Sequence, residues 1–316
     1  MPSLSGVILK AQSGFFTVHT SAGDFVCQLR GKLKQHRQHA DLAAIGDEVD
    51  IESLPDGTGM IERIAPRRRV LARRAPSPYG RSARDPNTNR GQIILANPDQ
   101  VVFVFACAEP RPNPRLIDRF LVVAEAAQLP VLLCANKRDR VNDEQARAVF
   151  EIYPGLGYRV LYTSATSGLG LEALRAELRG KISVLSGPSG VGKSSLLNAL
   201  QPDLGLKARE VSAATTKGRH TTTHPELWPL DGGGFVADTP GIRSIAPWDV
   251  EPEELDAYFV DIQPYVAQCA FSDCTHMHEP GCAVREAVDA GRIAPSRYDS
   301  YCRLRRSERD ELATDY

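Results

Sequence analysis

The sequence predicts a chain in three parts: a small all-β barrel, a doubly wound α/β domain, and a short helical domain around a cysteine–histidine cluster. Three observations predict it. Five short strand-like runs, punctuated by turn residues, occupy positions 7–64. From about residue 92, apolar runs of strand length alternate with segments of helical periodicity. Three cysteines and two histidines crowd into residues 269–282. At 316 residues the chain is long enough for each part to bury a core of its own.

The N-terminal strands are expected at 7–11, 15–20, 24–30, 47–52 and 60–64. A five-stranded unit of this size suggests an OB-type barrel over residues 1–66, a fold whose open face commonly holds oligonucleotides. The pattern equally admits an SH3-like barrel. Residues 67–91 follow as an arginine-rich stretch with Pro76, Pro78, Gly80 and Pro86, expected to be a mobile linker. From Arg63 to Arg90 there are nine arginines and one acid, Asp85, which gives this stretch a local positive charge.

The α/β domain is expected over 92–246. Residues 101–107 form an unbroken apolar run, as in a strand buried on both faces. Residues 115–128 space Leu116, Phe120 and Val123 on one helical face, behind an Asn113 cap and Pro114 in the first turn. Further strands are expected at 131–135, 159–162, 182–186, 226–230 and 235–237, and helices at 143–152, 171–179 and 193–200. Residues 247–316 form the last domain: an acidic helical segment, the Cys/His cluster, and a basic helix around 303–309. From Asp249 to Asp261 there are six acids and no base, which the net charge of −1 conceals.

Gly187-Pro188-Ser189-Gly190-Val191-Gly192-Lys193-Ser194-Ser195 lies between an apolar strand and a helix with phosphate-loop spacing. Its glycines allow backbone N–H groups to converge on phosphate oxygens; Lys193 brings charge to the β and γ phosphates, and the Ser194 hydroxyl can ligate Mg2+. This implies a nucleoside triphosphate without naming its base. Asn136-Lys137-Arg138-Asp139 follows the strand at 131–135, where open α/β sheets bind ligands. It resembles the NKxD motif of Ras-like GTPases. There the Asp139 carboxylate would accept from the guanine ring N–H and amine, Asn136 would hold the loop, and the Lys137 stem would cover the base. Ser164-Ala165, after the next strand, matches the second base-contacting loop. Asp238-Thr239-Pro240-Gly241 resembles the DxxG switch, Asp238 reaching Mg2+ through water and the Gly241 amide sensing the γ-phosphate.

The order of these motifs is unusual. The base-reading loops at 136 and 164 precede the phosphate loop at 187 and the DxxG motif at 238, so the Ras-like P-loop GTPase domain reads as circularly permuted. That order, with a β domain before and a Cys/His cluster after, resembles the RsgA (YjeQ) family of small-ribosomal-subunit-dependent GTPases over nearly the whole chain. The resemblance implies a factor of the bacterial cytoplasm that acts late in small (30S) subunit assembly. It implies 16S rRNA as a partner, GTP and GDP as ligands with Mg2+, and hydrolysis stimulated by the subunit. Residues 218–223, Gly-Arg-His-Thr-Thr-Thr, look like the family's first switch. Thr222 is taken as its Mg2+ ligand among Thr221, Thr222 and Thr223. Ile242 stands where Ras-like proteins carry the water-orienting glutamine, and the resemblance offers His220 as the group that orients or deprotonates water. Lys193 and Thr222 complete the expected catalytic set.

Cys269, Cys274 and Cys282 with His276 or His278 supply three thiolates and an imidazole, a closed Cys3His set suited to one structural zinc. The resemblance favours His276. Clustering with histidine points to metal rather than a disulfide in a reducing compartment. The other cysteines, 27, 107, 134 and 302, read mainly as buried small hydrophobes. No signal peptide is expected ahead of the barrel, and the longest apolar run, 101–108, is too short to span a bilayer. A monomer without membrane attachment is expected. Two other readings compete: a GTP-binding RNA module without turnover, supported by Ile242, and an ATP-dependent kinase or transporter, which leaves 136–139 unexplained.

Overall fold

A computed structural model describes residues 3–35, 42–73, 92–204, 226–238 and 250–306. The described residues gather into two compact units, one drawn from 1–100, 175–186 and 214–244, the other from 101–174, 187–213 and 245–316.

Strands β1 (Ser3–Gln12), β2 (Phe15–Thr20), β3 (Gly23–Leu29), β4 (Glu48–Ser53) and β5 (Gly59–Ile64) close into a barrel in the order β1-β2-β3-β5-β4. One helical turn, α1 (Gly31–Gln35), follows β3. The parallel β3–β5 pair and the closure of β4 onto β1 make this the OB-type arrangement. Alternation along the strands sends Ile8, Val18, Cys27, Ile51 and Ile61 into a sealed interior. Burial pushes the Cys27 thiol up to about 11, and in the second unit those of Cys107 and Cys134 up to about 11 and 12. These three cysteines therefore behave as fillers rather than nucleophiles.

The expected linker begins as ordered structure instead. The fully buried Asp47 carboxylate takes both ends of the Arg67 guanidinium, each at 2.7 Å, and the Ala44 N–H at 2.8 Å. Strand β6 (Val70–Arg73) then pairs with β7 (Gln92–Ala96). The Ala96 N–H donates to Ile45 at 2.8 Å, and the Asn97 amide to Gly46 at 3.0 Å. So residues 67–73 and 92–97 fasten to the barrel. Four residues of strand are too few for periodicity to reveal. Residues 74–91 lie outside the described part.

The α/β elements follow: β8 (Gln100–Ala106), α2 (Pro114–Ala126), β9 (Val131–Asn136), α3 (Asp143–Phe150), α4 (Ile152–Gly155), β10 (Arg159–Tyr162), α5 (Leu171–Leu178), β11 (Ile182–Ser186), α6 (Lys193–Leu200), β12 (Leu227–Pro229) and β13 (Phe235–Asp238). Strands β10-β9-β8 pair in that order in the second unit and β11-β13-β12 in the first, with β12 returning antiparallel. Every residue of β8 is buried. The Asn113 side chain accepts the Arg115 N–H at 3.0 Å with Pro114 in the first turn, and Asn142 and Gln145 close a capping box on α3. Phe120 of α2 meets Phe103 and Phe105 of β8 edge-on.

After a 3-10 turn at Pro252–Glu254 come α7 (Leu255–Tyr258), α8 (Gln263–Val266), α9 (Ala283–Asp289) and α10 (Pro295–Arg305). Leu255, Phe259, Ile262, Val284, Ala287, Ile293 and Tyr301 form their core, joined by Val122 of α2. Among the described residues no helix is long and apolar enough to cross a membrane.

Candidate nucleotide-binding site and metal centre

The phosphate loop leaves β11 at Gly187, whose φ of 145° is open mainly to glycine; a Cβ there would lie 2.1 Å from the Val104 carbonyl oxygen. The loop ends on Gly192, at φ 95°, which caps α6 in place of a side chain. Lys193 begins that helix, and its ammonium donates to the carbonyls of Gly187 at 2.7 Å and Pro188 at 2.6 Å, holding it over the loop. Ser194 is half-buried beside it and Ser195 exposed, while Val191 is buried.

Asn136 ends β9 fully buried, and its amide does two tasks. Its nitrogen donates to the Val191 carbonyl at 2.8 Å, and its oxygen accepts from the Thr163 hydroxyl at 3.2 Å. A Cβ at Gly192 would meet that amide at 2.5 Å. One side chain thus joins the base-reading loop, the loop after β10 and the phosphate loop. Lys137 adopts a left-handed φ of 58°, and its ammonium donates to the Glu109 carbonyl; burial, with Arg140 nearby, holds it below its ordinary value. The Arg138 N–H donates to the Thr163 carbonyl at 3.0 Å, and Arg138 also pairs with Asp143. Asp139 follows in a 3-10 turn with its carboxylate exposed. Ser164 is fully buried, its hydroxyl accepting the Ser167 N–H at 3.1 Å, with Ala165 next to it.

The backbone of Asp238 closes β13 beside β11. Its side chain, Gly241, and the whole first switch, with His220, Thr221, Thr222 and Thr223, lie outside the described residues.

Donor atoms of Cys269, Cys274, His276 and Cys282 lie within 4.8 Å of one another. The His276 Nδ1 faces Cys269 Sγ at 3.4 Å and Cys282 Sγ at 3.6 Å. Three soft thiolates and one imidazole, converging and mostly buried, fit a tetrahedral zinc. His278 does not join them: its side chain is 82% exposed. The loop around His276 is tightly held. Glu279 accepts the N–H groups of Thr275 at 2.9 Å and of Met277 and His278 at 3.1 Å, which sets His276 at φ 63°. Although burial opposes it, hydrogen bonds from Thr275 and neighbouring amides hold the Glu279 carboxyl well below the usual range. From α10, Tyr298 donates to the His276 carbonyl at 2.6 Å and Tyr301 to that of Thr275 at 3.0 Å.

The same helix carries Arg297, which is 1% exposed. Its guanidinium contacts Asp118 of α2 at 2.7 Å and Asp261 at 2.8 Å, and lies 4.6 Å from the Phe259 ring centre. Tyr153 adds a 3.0 Å hydrogen bond to Asp118. Burial pushes the Asp118 carboxyl up, with Arg297 opposing. Neither carboxylate announces itself in the sequence. Several arginines of the basic flanks have partners within the chain. Arg63 pairs with Asp50, Arg68 with Glu48 and Asp99, and Arg303 with Asp299, while Arg305 donates to the Pro252 carbonyl.

The RsgA GTPase family profile matches residues 65–248, and the RsgA N-terminal domain profile matches 5–61. A curated relative from Gemmatimonas aurantiaca, named small ribosomal subunit biogenesis GTPase RsgA, is 46% identical over 314 residues, covering 98% of each chain. The crystal structure of YjeQ from Thermotoga maritima superposes with a TM-score of 0.77 at 36% identity, covering 98% of this chain and 100% of that one. The structure of YloQ, described as a circularly permuted GTPase, superposes at 0.71 and 30% identity over 97% and 95%.

Proposed function

The chain belongs to the RsgA family of circularly permuted GTPases, and on that premise we propose how its residues divide the work of a GTP hydrolase in small-ribosomal-subunit biogenesis. Guanine is read by Asp139, with Lys137 covering the base and Asn136, Arg138, Ser164 and Ala165 shaping its pocket. The phosphates lie on the backbone of Gly187–Ser195, with Lys193 between the β and γ positions. Ser194 and Thr222 would hold Mg2+, Asp238 through water, and the metal would neutralise charge on the transferring phosphoryl group. The Gly241 amide reports the γ-phosphate, and His220 orients the attacking water. The observation that carries this reading is the Asn136 amide, hydrogen-bonded to both Val191 and Thr163. It makes a base pocket and a phosphate cradle, separated in the chain, into one site.

Cys269, Cys274, His276 and Cys282 would hold one structural zinc. Its apparent binding energy, about 10–16 kcal/mol in small domains, would stabilise the C-terminal fold. The OB-type barrel and this domain are the surfaces for the small subunit and its 16S rRNA, and the setting is the cytoplasm.

Lys193→Ala should lower turnover by roughly 10²–10³-fold, the scale of losing one preorganised donor to transition-state charge. His220→Ala should spare nucleotide binding and lower the subunit-stimulated rate by about 10²-fold. Stimulated phosphate release unchanged in that variant removes His220 from the mechanism. The wider test is GTP turnover with and without purified small subunits, together with subunit affinity in a non-hydrolysable GTP analogue and in GDP. Stimulated turnover and tighter binding with the analogue are expected; by linkage the subunit then favours GTP over GDP by the same factor. Absence of stimulation overturns the reading.

A further inference from the structure

Asp256 lies in the acid-rich segment that follows the second switch, on α7, and none of the roles above uses it. Its carboxylate Oδ2 stands 3.2 Å from Nε2 of His276, on the side of the imidazole opposite the thiolates. Nδ1 of the same ring faces Cys269 and Cys282 at 3.4 and 3.6 Å. The His276 side chain is 1% exposed and that of Asp256 18%, so little water competes for the Nε2–H. A ligating histidine has one nitrogen for the metal and one N–H to place, and an outer carboxylate that accepts the N–H fixes both tautomer and ring orientation. The left-handed backbone at His276 already aims the ring. What backbone geometry cannot set is the flip that would exchange Nδ1 and Nε2.

We propose that Asp256 is the outer carboxylate of the metal centre, a positioning residue that holds His276 as its Nε2–H tautomer with Nδ1 turned to zinc. The acidic run from Asp249 to Asp261 thus contributes one specific member to the metal centre. Arg305, which reaches the Pro252 carbonyl at 3.0 Å, keeps that run against α10 and so keeps Asp256 in place. The segment that follows the second switch thus makes a polar contact with the zinc loop through the His276 imidazole, beside the apolar core the two share.

The proposal rests on the reading of Cys269, Cys274, His276 and Cys282 as a zinc set, and metal analysis of the wild-type full-length protein tests that reading separately. Chelator competition on the wild type and on Asp256→Ala should show a loss of zinc affinity of roughly 10- to 100-fold, with Asp256→Asn, which retains an acceptor oxygen, in between. In a His276→Cys background, where a thiolate needs no tautomer, Asp256→Ala should change affinity by less than about 3-fold, because the pair no longer couples. Should His276→Cys bind no zinc, ring-nitrogen NMR of the zinc-loaded wild type decides instead, with a metal-bound Nδ1 and a protonated Nε2 expected. A wild type that carries one zinc yet loses no affinity in Asp256→Ala overturns the proposal. An equal loss with and without His276, or a zinc-bound Nε2, does the same.

Discussion

Asp139→Asn is expected to weaken GTP binding by roughly 10²–10⁴-fold. Two hydrogen bonds from guanine to a charged acceptor are lost, each contributing about 1.5–3 kcal/mol. The loop should survive the change. Asn136, the left-handed Lys137 and the Arg138 N–H fix it through Val191, Glu109 and Thr163, and the Asp139 carboxylate is exposed. Global stability should therefore stay within about 0.5 kcal/mol of wild type. The asparagine amide presents a donor where the carboxylate presented an acceptor, so preference should move toward xanthosine triphosphate. Competition among GTP, XTP and ATP against a fluorescent analogue measures both effects. Wild-type protein that binds ATP as tightly as GTP would remove Asp139 from the base pocket.

Arg297→Met should destabilise the C-terminal domain by about 3–5 kcal/mol, because it leaves two carboxylates buried without their cation. Asp118 and Asp261 are 1% and 5% exposed, and Phe259 loses the guanidinium stacked on it. The sign of the pH dependence follows from the raised Asp118 carboxyl. A group whose folded pKa lies above its unfolded value stabilises below the unfolded value and loses that contribution as pH rises through the folded one. Without Arg297 the carboxyl rises further, so the deficit should be largest near neutral pH and shrink toward acid. Adding Asp118→Asn to Arg297→Met should recover part of the loss. Denaturant unfolding followed by zinc release checks this; an Arg297→Met protein as stable as wild type at neutral pH would contradict the buried network.

The motif loops were legible because they are local. Gly187–Ser195 and Asn136–Asp139 are short runs of consecutive residues, and strands β10 and β11 and helix α6 fall where periodicity placed them. What escaped was non-local or short. Asp118 looks like any polar residue of an amphipathic helix, and Arg297 like a solvated cation, until a chain separation of 179 positions is folded together. Strands β6 and β7 hold four and five residues, below the length at which alternation speaks. A count of arginines does not reveal that Arg67 is bound by Asp47 or Arg63 by Asp50. Asp256 was visible only as one acid among six. Spacing alone left His276 and His278 open; the family resemblance favoured His276, and the structure supplies the local reason, a backbone at φ 63° held by a glutamate three residues on.

The permuted order also sets a timetable for synthesis. The hydrogen bond from Asn136 to Val191 spans 55 residues, and the strands β8, β9 and β10 pair as neighbours in sequence, so the base pocket requires only short loop closures. A growing chain that has reached Leu200 already contains every described group of the base pocket and the phosphate cradle. At that moment neither switch nor any metal ligand of the C-terminal domain has been made.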